Sequence, residues 1–219
     1  MNNANPAMMK EVLSLYRGAP LPTRLFLRGR ILLSNLEFIE RYVPRSGKII
    51  DLGCGHGLFA NLMALASPER QVTGIDLSPA KIELARATVG TRSNIEFICG
   101  DVFELGLPAC DTVTIVDVLY LLSRPDQQKI LEACRRMLRP GGKLIWKTQE
   151  TRPRWKYYCT YGQEFLTTSI GITRGRRGRL CFLSREEALS TLVDAGLTPR
   201  LIEMSTRLPY TDILLIGEL

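Results

Sequence analysis

Three aspartates and one glycine-rich turn carry the chemistry that can be read from this chain. Asp51 stands just ahead of Gly53-Cys54-Gly55-His56-Gly57. Glycine has no Cβ, so a Gly-x-Gly-x-Gly turn bends tightly and admits a ligand close to the backbone. Such a turn between a strand and a helix also offers backbone N–H groups to whatever binds there. Asp76 ends the run Val72-Thr73-Gly74-Ile75, 76 − 57 = 19 residues after Gly57. A carboxylate at that place accepts hydrogen bonds from both hydroxyls of a ribose. Asp101 follows Ile95-Glu96-Phe97-Ile98-Cys99-Gly100, where an acid can accept from an adenine amino group. Singly, Asp76 also suits a helix N-cap, in competition with Ser78, and Asp101 suits a turn. Their joint placement after successive apolar runs points to a nucleoside. Asp51, just ahead of the turn, would repel a pyrophosphate.

The elements that must hold these residues follow from periodicity. Apolar runs predict strands at 48–52, 71–76, 94–99, 111–116 and 142–148, and helical spacing predicts helices at 57–66, 79–90, 126–138 and 185–194. Alternation of this kind makes βαβ units and a mostly parallel sheet covered on both faces. Two further strands, from Leu197 to Met204 and from Tyr210 to Ile216, have a short link and must pair antiparallel. Ahead of the sheet, a short helix from Met8 to Tyr16 precedes a long one, capped by Thr23 and running to about Val43. The expected organisation is one domain, 1–219, with a helical cap over 1–44 and an insertion at 150–183.

Composition narrows the class. The 45% hydrophobic and 23% charged fractions suit a globular protein. No apolar run reaches the roughly 18 residues of a spanning helix, and the first residues lack a signal-peptide pattern. Six cysteines without a C-x-x-C pair read as free thiols, hence a cytoplasmic protein. His56 is the single histidine, and no Cys or carboxylate cluster joins it, so no metal is expected. From Thr151 to Arg179 seven basic residues face one acid, Glu164, so 7 − 1 = +6 of the net charge of +7 lies there. That segment suits an anionic partner, a membrane surface or plain solvent.

The glycine turn, Asp76-Leu77, Asp101-Val102 and the turn Arg139-Pro140-Gly141-Gly142 together resemble the class I S-adenosylmethionine-dependent methyltransferases, over about residues 45–148. The resemblance implies a Rossmann-like α/β fold with a seven-stranded sheet ordered 3-2-1-4-5-7-6, strand seven antiparallel. It implies S-adenosyl-L-methionine as cofactor, S-adenosyl-L-homocysteine as product and no metal. Asp51, Gly53, Cys54, Gly55 and Gly57 would then surround the methionine part, Asp51 ordering the loop. Asp76 would take the ribose, Leu77 would pack on the adenine, and Asp101 with Val102 would contact it. Asp117 in Val116-Asp117-Val118-Leu119-Tyr120 would line the methionine end.

After Asp117 the chain lacks the Asn-Pro-Pro-Phe type run of enzymes acting on nucleic-acid amino groups, and resembles the small-molecule and quinone-biosynthesis branch. The expected reaction is methyl transfer to an amphiphilic or lipid-like, anionic acceptor, with peripheral membrane contact and no nucleic acid. The acceptor pocket is expected from Arg24, Leu25, Phe26, Leu27 and Arg28 together with the insertion. In-line alignment can supply most of the rate, so a base is optional; His56, Tyr157, Tyr158, Tyr161 and Glu164 are the candidates. Two alternatives keep the same motifs: a non-catalytic cofactor-binding module, and a nucleic-acid methyltransferase using the basic 151–179 segment. A nicotinamide-dependent dehydrogenase would need Gly-x-Gly-x-x-Gly and leaves Asp101 without a role.

Overall fold

A computed structural model describes residues 6–149, 180–204 and 212–219. The chain forms two compact units, residues 1–114 and 115–219. In the first, three helices, α1 (Pro6–Ser14), α2 (Leu21–Ser34) and α3 (Leu36–Glu40), precede β1 (Gly47–Leu52), α4 (Leu58–Ala66), β2 (Arg70–Asp76), α5 (Pro79–Arg86) and β3 (Ile95–Cys99). The boundary falls inside β4 (Cys110–Val116). The second unit holds a 3-10 turn (Leu119–Leu121), α6 (Arg124–Met137), β5 (Leu138–Gln149), α7 (Arg185–Asp194), β6 (Thr198–Glu203) and β7 (Asp212–Glu218). The sheet order is β3-β2-β1-β4-β5-β7-β6, as the family resemblance implies.

The first unit is built on parallel pairing in register. Ile49 pairs with Val72, and Val72 with Ile95. All three are β-branched and buried, which suits a strand covered on both faces. The register carries Asp51, Asp76 and the residues after Cys99 to the same ends of their strands. Helix α4 is apolar nearly all round, and its residues from Leu58 to Ala64 are buried. Such a helix is stable only inside a core. Its one polar side chain, Asn61, is fully buried.

The long helix expected from Thr23 to Val43 is two helices. Asn35 takes φ 45° and ψ 44°, a left-handed conformation, and ends α2. Asparagine tolerates that region better than other non-glycine residues. Thr23 is not the cap; Pro20 holds that position. The far end of α3 and the residues after it are pinned by Arg70, whose side chain is fully buried. Its Nε donates to Pro44 O at 2.6 Å, and its two terminal nitrogens donate to Glu40 Oε1 at 2.7 Å, Met63 O at 2.9 Å and Val43 O at 2.9 Å.

In the second unit β7 pairs antiparallel with both β5 and β6. This meets the expectation of a terminal antiparallel pair. Helix α7 starts with a reciprocal capping box: Ser184 Oγ accepts from Glu187 N, and Glu187 Oε2 accepts from Ser184 N. Of the expected insertion, residues 180–183 are described. Cys181 N donates to Tyr120 O at 2.7 Å, and Phe182 stacks on Tyr120 at 4.7 Å between ring centroids. Tyr157, Tyr158, Tyr161, Glu164 and the basic 151–179 segment lie outside the described residues.

Candidate cofactor site

The glycine turn leaves β1 and re-enters the fold at α4. Gly53, Gly55 and Gly57 all have positive φ, at 70°, 56° and 77°. At Gly57 a Cβ would also lie 2.5 Å from Phe97 Cζ, so only glycine fits. At Gly55 a Cβ would meet nothing within 4 Å, so this part of the loop borders open space.

The sequence suggests that this turn presents backbone N–H groups to a ligand. The structure spends four of them internally. Gly53 N and Cys54 N donate to Ile75 O at 2.8 and 3.0 Å, Gly57 N donates to Cys54 O at 2.9 Å, and Gly55 N donates to Asp76 Oδ2 at 3.0 Å. A loop whose donors are already satisfied is a poor phosphate cradle.

Asp76 therefore orders the loop, a role the sequence reading gave to Asp51. Its other oxygen, Oδ1, accepts from Ser78 N at 2.9 Å. Each carboxylate oxygen has a second lone-pair direction, so the group keeps room for further donors. Ser78 is the residue before α5, and its side chain makes no cap hydrogen bond. Leu77 is 62% exposed, a large apolar side chain beside a polar pair. Asp101 Oδ1 accepts from Phe103 N at 3.0 Å and so caps a turn, with Val102 half-buried next to it.

Asp51 lies at 2% exposure. Its Oδ1 accepts from Thr114 Oγ1 at 2.7 Å. Its Oδ2 is buried with no hydrogen-bond partner among the described residues. Burial raises its pKa to about 7, against the opposing effects of Thr114 and Arg30, and Asp76 adds to the rise. Cys54 is pushed up by burial and by the same two acids, so it is an unreactive thiol. His56 is lowered to about 4 by burial, then by Lys81, so the imidazole is neutral at neutral pH. Its ring lies 5.9 Å from that of Phe26.

A network that the sequence reading missed holds the turn from below. Tyr16 Oη donates to His56 O at 2.8 Å. Asn61 Nδ2 lies 2.9 Å from Gly57 O, from Tyr16 Oη and from Thr88 Oγ1. Arg92 donates to Asn61 Oδ1 at 2.6 Å. The signal was a lone asparagine inside the apolar run Leu58-Phe59-Ala60-Asn61-Leu62-Met63. A polar group enters such a helix only when partners await it.

In the second unit Asp117 follows β4 with φ 59° and forms an ion pair with Lys147. Lys147 Nζ lies 2.5 Å from Asp117 Oδ1 and 3.0 Å from Asp212 Oδ1. All three side chains are buried. The register explains the meeting: Gln149 pairs with Asp212, so Lys147, two residues earlier, shares its face. Both Asp212 oxygens are buried, and the Lys147 ammonium faces them. Burial would lower Lys147, but Asp117 and Asp212 outweigh it and its pKa lies above the ordinary value. Burial raises Asp212, against the attraction of Lys147. Among the described residues no group of three His, Cys, Asp or Glu side chains could hold a metal ion. The five cysteines described are free thiols.

Fold and turn define a class, and comparison with known proteins agrees. Residues 49–142 match the family model described as a methyltransferase domain. The ubiquinone biosynthesis O-methyltransferase of Chromobacterium violaceum is 30% identical over 168 residues, 74% of this chain and 70% of that protein. That of Coxiella burnetii is 32% identical over 136 residues, and the match spans 60% of this chain and 56% of the relative. Among solved structures, the mitomycin 7-O-methyltransferase MmcR superposes with a TM-score of 0.70 at 21% identity, over 95% of this chain and 60% of that one. PigF, solved with S-adenosylhomocysteine, gives 0.68 at 20%, over 87% and 56%. The chain belongs to the class I S-adenosylmethionine-dependent methyltransferases. It is an enzyme of that class, and S-adenosyl-L-methionine is its cofactor.

Proposed function

We propose that this enzyme transfers a methyl group to a hydroxyl of a small, amphiphilic acceptor of the quinol-precursor type. The relatives named as ubiquinone biosynthesis O-methyltransferases support that acceptor class. We read the enzyme as cytoplasmic, in keeping with its free cysteines.

One observation carries the cofactor assignment: the buried, unpartnered Oδ2 of Asp51 beside an open glycine turn. An ammonium would supply the missing partner. Asp76 would receive ribose hydroxyls on its spare lone pairs, and exposed Leu77 would back the base, with Asp101 and Val102 beyond it. When bound, the cofactor supplies an electrophilic methyl group on a positively charged sulfur. The work of the protein is to hold the acceptor in line and exclude water. His56, neutral and close to Phe26, fits a wall of this site better than a proton acceptor, because a base with a pKa about 4 binds protons weakly at neutral pH. Asp117 is committed to Lys147, and we assign it a structural role within the second unit.

Incubation with deuterated-methyl cofactor and a prenylated catechol, followed by mass spectrometry, tests the acceptor. A product heavier by one labelled methyl supports the reading, while labelling only of polar amines in a cell extract would sink it. Asp76→Ala should weaken S-adenosylhomocysteine binding at least tenfold in calorimetry. Unchanged affinity would break the assignment of the turn.

A further inference from the structure

We infer that α1 and α2 form a docking surface for an anionic lipid bilayer, with a pocket between them that receives a lipid phosphate. Four cations surround this pocket of about 240 Å³: Lys10 and Arg17 at α1 and its end, Arg24 and Arg28 on α2. Leu13, Ser14 and Tyr16 complete the lining, and no acid is among the lining residues described. The four side chains have no carboxylate partner among the described residues. From Pro6 to Ser34 there are five basic residues and one acid, so the two helices carry 5 − 1 = +4. Like charges gathered around a concavity without counter-charges repel one another, and an anion relieves that repulsion.

The second observation is independent of charge. Leu21, Leu25 and Leu32 are 61%, 56% and 78% exposed. At 3.6 residues per turn they fall within roughly 40° of one another on α2, with Arg28 alongside. Leu27 and Ser34, on the opposite side, are buried. The expected acceptor wall of Leu25 and Leu27 is thus divided: Leu27 belongs to the core and Leu25 faces out. An apolar strip next to basic side chains is the pattern of a helix lying in a membrane interface. A soluble anion would account for the pocket alone and leave three exposed leucines without a role. A bilayer with acidic headgroups accounts for both.

The inference is independent of the acceptor assigned above, and also of the basic 151–179 segment. The full chain is mixed with vesicles of phosphatidylcholine alone or with added phosphatidylglycerol, and bound protein is measured by flotation. Binding should require phosphatidylglycerol and weaken with salt. Arg24→Gln with Arg28→Gln should lower partitioning about tenfold or more. Leu25→Ser with Leu32→Ser should lower it similarly while leaving the salt dependence. Circular dichroism and S-adenosylhomocysteine affinity check that the variants fold. Absence of vesicle binding overturns the proposal. So does binding that both variants retain, or that Arg174, Arg176 and Arg177 substitutions alone abolish. Saturable pyrophosphate binding without vesicle binding would mark a soluble-anion site and would also overturn it.

Discussion

Asp51 links protonation to both stability and ligand binding. Its pKa rises from 3.8 to about 7 on folding. The folded protein therefore holds a proton that the unfolded chain has released between about pH 4 and 7. Stability should fall as pH rises through that window and level off above it, by on the order of 4 kcal/mol from this group. Asp51→Asn should flatten that slope in denaturant titrations. A ligand ammonium prefers the ionised carboxylate, so cofactor affinity should rise from pH 5 to 7 with proton release, then plateau. Calorimetry in buffers of different ionisation enthalpy reads this directly; a pH-independent affinity would separate Asp51 from the ammonium. Gly57 gives a steric prediction. Gly57→Ala combines φ 77° with a 2.5 Å approach to Phe97, and should cost about 2–4 kcal/mol in chemical denaturation.

Elements were legible where apolar periodicity fixed them. The runs around Ile49, Val72 and Ile95 gave strands to within about two residues, because buried parallel strands need continuous β-branched character. The break at Asn35 was hidden, since Leu32, Leu36 and Ile39 keep helical spacing across it. Only backbone geometry shows that Leu32 is 78% exposed while Leu36 and Ile39 are in the core. What holds the end of α3 is Arg70, and nothing in sequence reveals that one arginine serves three carbonyls. Arg70→Met should cost about 3–5 kcal/mol, because it leaves those buried carbonyls without a donor and Glu40 with only the exposed Arg45 as partner. Arg45 also pairs with Glu40, but its side chain is 67% exposed, so Arg45→Ala should cost no more than about 1 kcal/mol. Equal losses from the two would mean that Arg70 is held by its carbonyls no better than a surface residue.

For the whole molecule, the strand order followed from the resemblance and the terminal pair, while the charges inside the second unit did not. Lys147 and Asp212 are 212 − 147 = 65 positions apart, and their meeting depends on a register that only pairing sets. Lys147→Met should cost about 3–5 kcal/mol at neutral pH, since it removes the buried ammonium that Asp117 and Asp212 share. That is a large share of a typical folding free energy of about 5–15 kcal/mol. The deficit should shrink as the solution is acidified, because protonated Asp117 and Asp212 need no cation. A deficit that stays constant from pH 7 to pH 5 would show that packing, not charge, sets the cost.

The position of β7 bears on how the protein is made. It lies between β5 and β6, yet it follows both in the chain. During synthesis β6 therefore leaves the ribosome before the strand that joins it to the sheet. Until Asp212–Glu218 emerges, β5 presents a bare edge, and Lys147 lacks one of its two acids. Exposed edges recruit other chains, so the interval of biosynthesis in which a chaperone would be of most use is the one after β5 has emerged and before β7 joins it.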